Sequence, residues 1–239
     1  MPVSSGDLEL PAREVHVWHT DFSVESDAVY GLLDADERER AERFKVSSAR
    51  EEFIKSHAFV RLILARYLYG SPEGIRFRTV GNGKPELVLN PEIQFNLSHT
   101  EGAAALAVSQ NRRVGIDVEK VRSNLDPITM ADRFFSPGEA AWLRSQPAHE
   151  QLSAFFACWT AKESYIKGCG DGLAMSLSKF TVLPHQGEST LRLKVEGGVS
   201  ERWSLWRLEL GPELRGTVAA EDANLRLKIN HWHWHEFCP

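Results

Sequence analysis

Val114-Gly115-Ile116-Asp117-Val118-Glu119 decides the fold, because its side chains separate cleanly with period two. Val114, Ile116 and Val118 fall on one face of a strand, and Gly115, Asp117 and Glu119 on the other. Gly115 leaves room on the polar face for a ligand's backbone or a phosphate to come close. Two carboxylates on one strand face repel each other, so a positive partner belongs between them. A hard cation such as Mg2+ takes one or two carboxylates and completes its shell with water and substrate phosphates. Taken alone, the same residues also fit a solvated strand face.

Downstream, Phe155-Phe156-x-x-Trp159-x-x-x-Glu163-x-x-Ile166-Lys167 has helical spacing. The aromatic and aliphatic positions supply a buried side, while Glu163 and Lys167, four residues apart, stack on one face. Gly168, Gly170 and Gly172 then end the helix. On spacing alone, Glu163 and Lys167 also fit a surface ion pair, worth about 0.2–0.5 kcal/mol.

Working outward, strands and helices alternate in two comparable halves, which predicts an α+β fold. The first half offers a strand near 15–18 and a helix over 34–44. A second helix runs from Ser48, where Ser48 and Glu51 form a capping-box pattern, to a stop at Gly70. Strands follow near 75–80, 86–89, 93–97 and 103–108. In the second half, Ser136-Pro137-Gly138-Glu139 is a capped helix start. Strands are expected at 178–183, 190–195, 202–210, 214–220 and 225–235. Glu42-Arg43-Phe44 and Asp132-Arg133-Phe134 occupy similar places in the halves, with a boundary near Asn111.

The 239-residue chain carries a formal net charge of −5, which gives no basic footprint for nucleic acid. No apolar run reaches the length of a membrane span, and Met1-Pro2 opens no signal peptide. Cys158, Cys169 and Cys238 suggest neither a disulfide framework nor a metal site. The expectation is a cytoplasmic monomer that engages neither membrane nor nucleic acid. His231-Trp232-His233-Trp234-His235 places histidines on one strand face. It is read as an edge strand packed through its tryptophans and not as a metal site.

The two acidic segments together, Gly115-Ile116-Asp117-Val118-Glu119-Lys120 and Trp159-x-x-Lys162-Glu163-Ser164-x-x-Lys167, resemble the signature of the 4′-phosphopantetheinyl transferases. The likeness is to their larger, two-lobed, surfactin-type (Sfp-like) class. Gly83-Lys84-Pro85, Phe95-Asn96-Leu97-Ser98-His99, Arg133-Phe134-Phe135-Ser136 and Gly170-Asp171-Gly172-Leu173 follow the family's order, so the likeness spans roughly residues 40–182.

The resemblance implies two similar α+β lobes related by a pseudo-twofold, residues 1–111 and 112–239, with the active site in the cleft between them. The implied activity moves 4′-phosphopantetheine from coenzyme A to a serine of an apo acyl, peptidyl or aryl carrier protein. Asp117, Glu119 and Glu163 would hold Mg2+; Glu163 is also the candidate general base, as ligand, base or both. Lys167 would meet the phosphates. Lys84 and Pro85, with Arg78 beside them, would contact the nucleotide end of coenzyme A, and Ser98 and His99 its phosphates. Arg50 would reach the adenosine phosphate, with Arg40 and Arg43 as rivals. Trp159 followed by Lys162-Glu163-Ser164 mixes two subfamily patterns, which leaves carrier preference open. Other compatible functions are a non-catalytic coenzyme A- or carrier-binding module and a Mg2+-dependent coenzyme A pyrophosphohydrolase. Loss of a carboxylate or of Lys167 would mark the module, and none is lost.

Overall fold

The computed structural model describes residues 8–81, 83–170, 175–184, 190–195, 198–200 and 202–236. In the first half, β1 (Glu14–Asp21) leads to α1 (Ser26–Val29), α2 (Ala35–Glu42) and the long α3 (Ser47–Leu68). The hairpin β2 (Phe77–Val80) and β3 (Lys84–Leu87) follows, then β4 (Ile93–Thr100) and β5 (Ala103–Gln110). The second half takes the same path. It runs from β6 (Val114–Lys120) through α4 (Pro127–Phe134), α5 (Pro137–Arg144) and the long α6 (Ala148–Cys169). Then come β7 (Thr181–Pro184), β8 (Thr190–Val195), β9 (Gly198–Val199), β10 (Trp203–Leu208), β11 (Leu214–Glu221) and β12 (Arg226–His231).

One sheet has the order β12-β1-β5-β4; the other has β6-β11-β10-β8-β7, with β9 on β8. In each half the first strand pairs with the last hairpin strand, β1 with β5 and β6 with β11. Each half also contributes one 22-residue helix.

Strand alternation explains the layering. β5 sends Ala104, Leu106 and Val108 into the core beneath α3, shared with Phe59 and Ile63. Its Ala105 and Ala107, with Val15 and Val17, meet Val114, Ile116, Val118, Val218 and Ala220 of the second sheet. Ala219 and Leu205 face the other way, onto Ala161, Tyr165 and Ile166 of α6. The order of layers is therefore α3, first sheet, second sheet, α6, the mixed architecture the alternating pattern predicts.

Three expectations need correcting. The Ser48/Glu51 capping box does not form: α3 begins at Ser47 after Val46, which supplies no side-chain cap. The reciprocal box forms instead at Asp34 and Glu37, as well as at Ser136 and Glu139. At the other end of α3, Tyr69 and not Gly70 takes the left-handed conformation, with φ 52°. Finally, residues 226–231 do not stay with the second half. β12 pairs in parallel with β1, from Glu14 opposite Arg226 to His19 opposite His231, so a single cut at residue 111 would divide the first sheet.

β12 is an edge strand, but of the histidine run only His231 belongs to it; residues 232–235 lie beyond the strand and turn into a 3-10 helix at Trp234. Trp232 and Trp234 are buried in the first core, while His231, His233 and His235 are exposed. Among the described residues, no helix is long and apolar enough to cross a membrane.

Candidate active site

β6 and α6 bring the acidic residues together. Because Gly115, Asp117 and Glu119 share one strand face, they turn toward α6. Gly115 admits the helix there and not a ligand, in contrast to its sequence reading. A Cβ at this position would overlap the Ser164 carbonyl oxygen and the Gly168 amide nitrogen, and would lie 2.8 Å from the Gly168 Cα. Gly168 in turn sits against the Trp203 ring, 2.7 Å from where its own Cβ would lie. The two glycines set the strand–helix distance, and with it the separation of Asp117 from Glu163 and Lys167.

Asp117 is the buried centre. Lys167 Nζ reaches its Oδ1 at 2.7 Å, and the Ser98 hydroxyl donates to the same oxygen at 3.0 Å. Ser98 Oγ also accepts from the Val118 amide at 3.2 Å and from Lys167 Nζ at 3.1 Å. One donor and two acceptors exhaust a hydroxyl, so Ser98 is fully occupied within the protein. Asp117 Oδ2, by contrast, is buried with no hydrogen-bond partner.

Glu119 and Glu163 are half-buried on either side. Desolvation, followed by the Asp117 charge, raises the Glu119 carboxyl above its ordinary range against the pull of Arg122, Lys167 and a hydrogen bond from Thr100. Glu163 is raised by desolvation first and then by Asp117, with Lys167 opposing and Glu119 adding to the rise. Arg122 pairs with Glu119 at 3.3 Å.

The donor chemistry fits a hard divalent cation. Three acidic groups electrostatically coupled and one orphaned buried oxygen are relieved together by positive charge. Among the described residues, no three His, Cys, Asp or Glu groups already form a cage for a metal ion.

The other expected residues are placed unevenly. Lys84 Nζ points inward, bonding the carbonyl oxygens of Val114 at 3.1 Å and Lys167 at 3.4 Å. Burial, then Arg113, lowers its pKa. Its ammonium thus ties the β2–β3 hairpin to β6 and to the C-terminal end of α6, where a cation is favourable. Pro85 is exposed beside it. His99 faces the α3 side of β4 and is solvent-accessible but crowded. That desolvation, then the positive charge of His57 and Lys167, lowers its pKa.

Arg50 bonds Glu42 at 2.7 Å and lies over the Tyr30 ring, and exposed Arg78 bonds Glu86 at 3.2 Å. Of their rivals, Arg43 pairs with Glu39 and Arg40 lies over Phe53. No described contact joins any of these arginines to the Asp117 group. Lys162 is structural: with no exposed surface, it bonds both Glu139 oxygens at 2.7 Å and the Phe180 carbonyl at 2.6 Å. Trp159 stacks on Phe155. Gly170 caps α6 with φ 78°, whereas Asp171, Gly172 and Leu173 of the expected glycine block, like Cys238, lie outside the described residues.

Thr100 escaped the sequence reading, and Asn96 entered it only as part of a motif, with no role of its own. Asn96 Oδ1 accepts from the Ile116 amide at 2.8 Å, and Thr100 Oγ1 from the Lys120 amide at 3.2 Å. Their signal was the strict alternation Asn96-x-Ser98-x-Thr100.

Known proteins with this sequence pattern supply the remaining observation. The phosphopantetheinyl transferase HetI of a Nostoc species is 33% identical over 234 residues, covering 95% of each chain. The chain belongs to the 4′-phosphopantetheinyl transferase family. The superfamily model matches residues 113–222, from the residue before β6 to the residue after β11. Psf-1 of Bacillus pumilus is 39% identical over 160 residues, covering 66% of this chain and 67% of that protein. Sfp of Bacillus subtilis is 31% identical over 172 residues, covering 71% and 75%. Within the transferases the chain is therefore Sfp-like, and the family-matched segment contains all three carboxylates and Lys167.

Proposed function

We propose that this protein transfers 4′-phosphopantetheine from coenzyme A to a serine hydroxyl of an apo carrier protein, releasing adenosine 3′,5′-bisphosphate. Holo-acyl-carrier-protein synthase activity is one form of that reaction. The observation that carries the reading is the Asp117–Ser98–Lys167 triangle. Residues from both halves meet there around a buried carboxylate with one oxygen unused, beside two further carboxylates.

In this reading Asp117, Glu119 and Glu163 hold Mg2+. When bound, the ion neutralises the pyrophosphate and polarises its phosphorus. Displacement at a phosphoryl centre depends mainly on positioning and charge neutralisation. Lys167, whose ammonium here rests on Asp117 Oδ1, would neutralise the charge on the leaving phosphate. His99, exposed at the α3 face of β4, would meet the phosphates from that side. Glu163 takes the proton of the carrier serine as the serine oxygen bonds to the β-phosphorus. The bond from that phosphorus to the bridging oxygen breaks, and the electron pair leaves with adenosine 3′,5′-bisphosphate. A carboxyl raised by desolvation is a stronger base than an ordinary one, which suits Glu163 to this step.

Incubation with Mg2+, coenzyme A and a panel of apo carriers, followed by intact-mass measurement, tests the reading. The expected result is a gain of one phosphopantetheine arm, abolished by Asp117→Ala or Glu163→Gln. No gain on any acyl, peptidyl or aryl carrier refutes it. Cleavage of coenzyme A without a carrier would identify a hydrolase instead.

A further inference from the structure

Among the described residues, β6 is an edge strand that pairs with β11 on one side only. Its other edge is closed by side chains of the first half. Asn96, Ser98 and Thr100 of β4 accept from the amides of Ile116, Val118 and Lys120, at 2.8, 3.2 and 3.2 Å, and form a β4–β6 seam. In an antiparallel strand the N–H and C=O of one residue point to the same side, so the Val114 carbonyl belongs to this edge as well. Its donor comes from β3, where Lys84 Nζ reaches it at 3.1 Å.

The same ammonium bonds the Lys167 carbonyl at 3.4 Å. Lys167 stands in the last turn of α6, where carbonyls run out of helical donors and positive charge is favoured. The two accepting residues are related. Val114 precedes Gly115 and Lys167 precedes Gly168, the glycines at which β6 and α6 cross. Lys84 therefore holds both partners of the crossing, one residue upstream of each contact. Two of the three donors of an ammonium are committed to these carbonyls. From the crossing, the Lys167 side chain runs to Asp117 Oδ1 at 2.7 Å and to Ser98 Oγ at 3.1 Å. The first half thus holds Lys167 at its backbone through Lys84 and at its ammonium through Ser98.

We propose that Lys84 is a positioning residue for phosphoryl transfer, a clamp on the β6–α6 crossing that sets Lys167 opposite Asp117, and not a ligand of the nucleotide. This assignment rests on the transferase reading above and departs from the family resemblance at this one side chain. A misplacement near 1 Å can slow chemistry about 100-fold, so a clamp acting on the crossing is read in the chemical step and not in the affinity for coenzyme A.

The test compares wild type with Lys84→Met, which keeps the stem and loses the ammonium; Lys84→Gln replaces it if the methionine variant folds poorly. Carrier loading per folded molecule is measured against coenzyme A concentration, and amide hydrogen exchange of the protein alone is followed by mass spectrometry. The variant is expected to lower kcat about 10-fold or more, with KM for coenzyme A within about threefold of wild type. Amides of residues 114–116 and 166–169 should exchange several-fold faster. A nucleotide ligand gives the opposite split, KM raised about 10-fold with kcat retained, and that result overturns the assignment. A lower Tm with unchanged kcat per folded molecule marks a purely architectural lysine and overturns it too, as does wild-type exchange at the crossing. A wild type that loads no carrier refutes the transferase reading, while the exchange measurement still judges the clamp.

Discussion

Replacing Gly115 by alanine perturbs the site through a single methyl group. Gly115 is not among the residues with positive φ, so alanine suits its backbone, and the penalty is steric. The added carbon overlaps backbone atoms of Ser164 and Gly168, not the end of a flexible side chain. Retreat of α6 is opposed by the packing of Ala161, Tyr165 and Ile166 against the second sheet. Overpacking of a core typically costs 1–3 kcal/mol; with backbone on both sides, about 3 kcal/mol is expected here. For a chain of this size that lowers Tm by roughly 6–12 °C. The same retreat stretches the 2.7 Å contact between Lys167 and Asp117, and a misplacement near 1 Å can slow chemistry about 100-fold. The control is Gly138→Ala, where a Cβ meets nothing within 4 Å; in α5 it should be neutral or stabilise by roughly 0.5–1 kcal/mol. Circular-dichroism melting and carrier loading per folded molecule read both effects. A Gly115→Ala protein that melts within about 2 °C of wild type and loads carriers normally would refute the account of the strand–helix spacing.

Two further outcomes follow from charges outside the reaction. Lys162→Met strands the fully buried Glu139 and should destabilise by about 3–5 kcal/mol. Adding Glu139→Gln should recover part of that loss in urea unfolding, and strictly additive effects would disprove the coupling. His19 is held at a pKa of about 4 by burial, then by His231 and His233. Between about pH 6.5 and 4 the unfolded chain therefore binds more protons at this residue than the folded one. Its contribution is fully present above that window and is lost as pH falls through it. Melting curves from pH 7 to 4 should show a decline that flattens in His19→Gln, and an unchanged pH slope in that variant would count against the histidine cluster.

Sequence made the half that carries the carboxylates legible because its information is local. The period of two in Val114–Glu119 survives folding intact, since a packed sheet lies on one side and a helix on the other. The Ser136/Glu139 cap was readable for the same reason, as four consecutive residues satisfy one another. Ser48/Glu51 offered an identical pattern and failed, because the helix began one residue earlier and left Ser48 inside it. What stayed hidden was non-local. Pairing of β12 with β1 depends on partners at opposite ends of the chain, and nothing in residues 225–235 names β1. The inward course of Lys84 and the β4–β6 seam likewise depend on which strands become neighbours. Gly115 was singled out correctly as a point of close approach, but sequence could not say what approaches.

The return of β12 to β1 also sets the order in which the molecule can be made. Thr20 and Trp232 bond across 212 residues of chain, so the first sheet's last strand leaves the ribosome long after its first. At roughly 5–20 residues per second, that interval lasts on the order of 10–40 s. Throughout it β1 has an open edge, and the core beneath α3 lacks Trp232 and Trp234. An unpaired edge beside exposed apolar surface invites pairing with other chains. The second sheet needs no such return, since β6 through β11 are contiguous in the chain. The half that carries the carboxylates can therefore close on its own strands first, while the half synthesised earlier waits for its final strand.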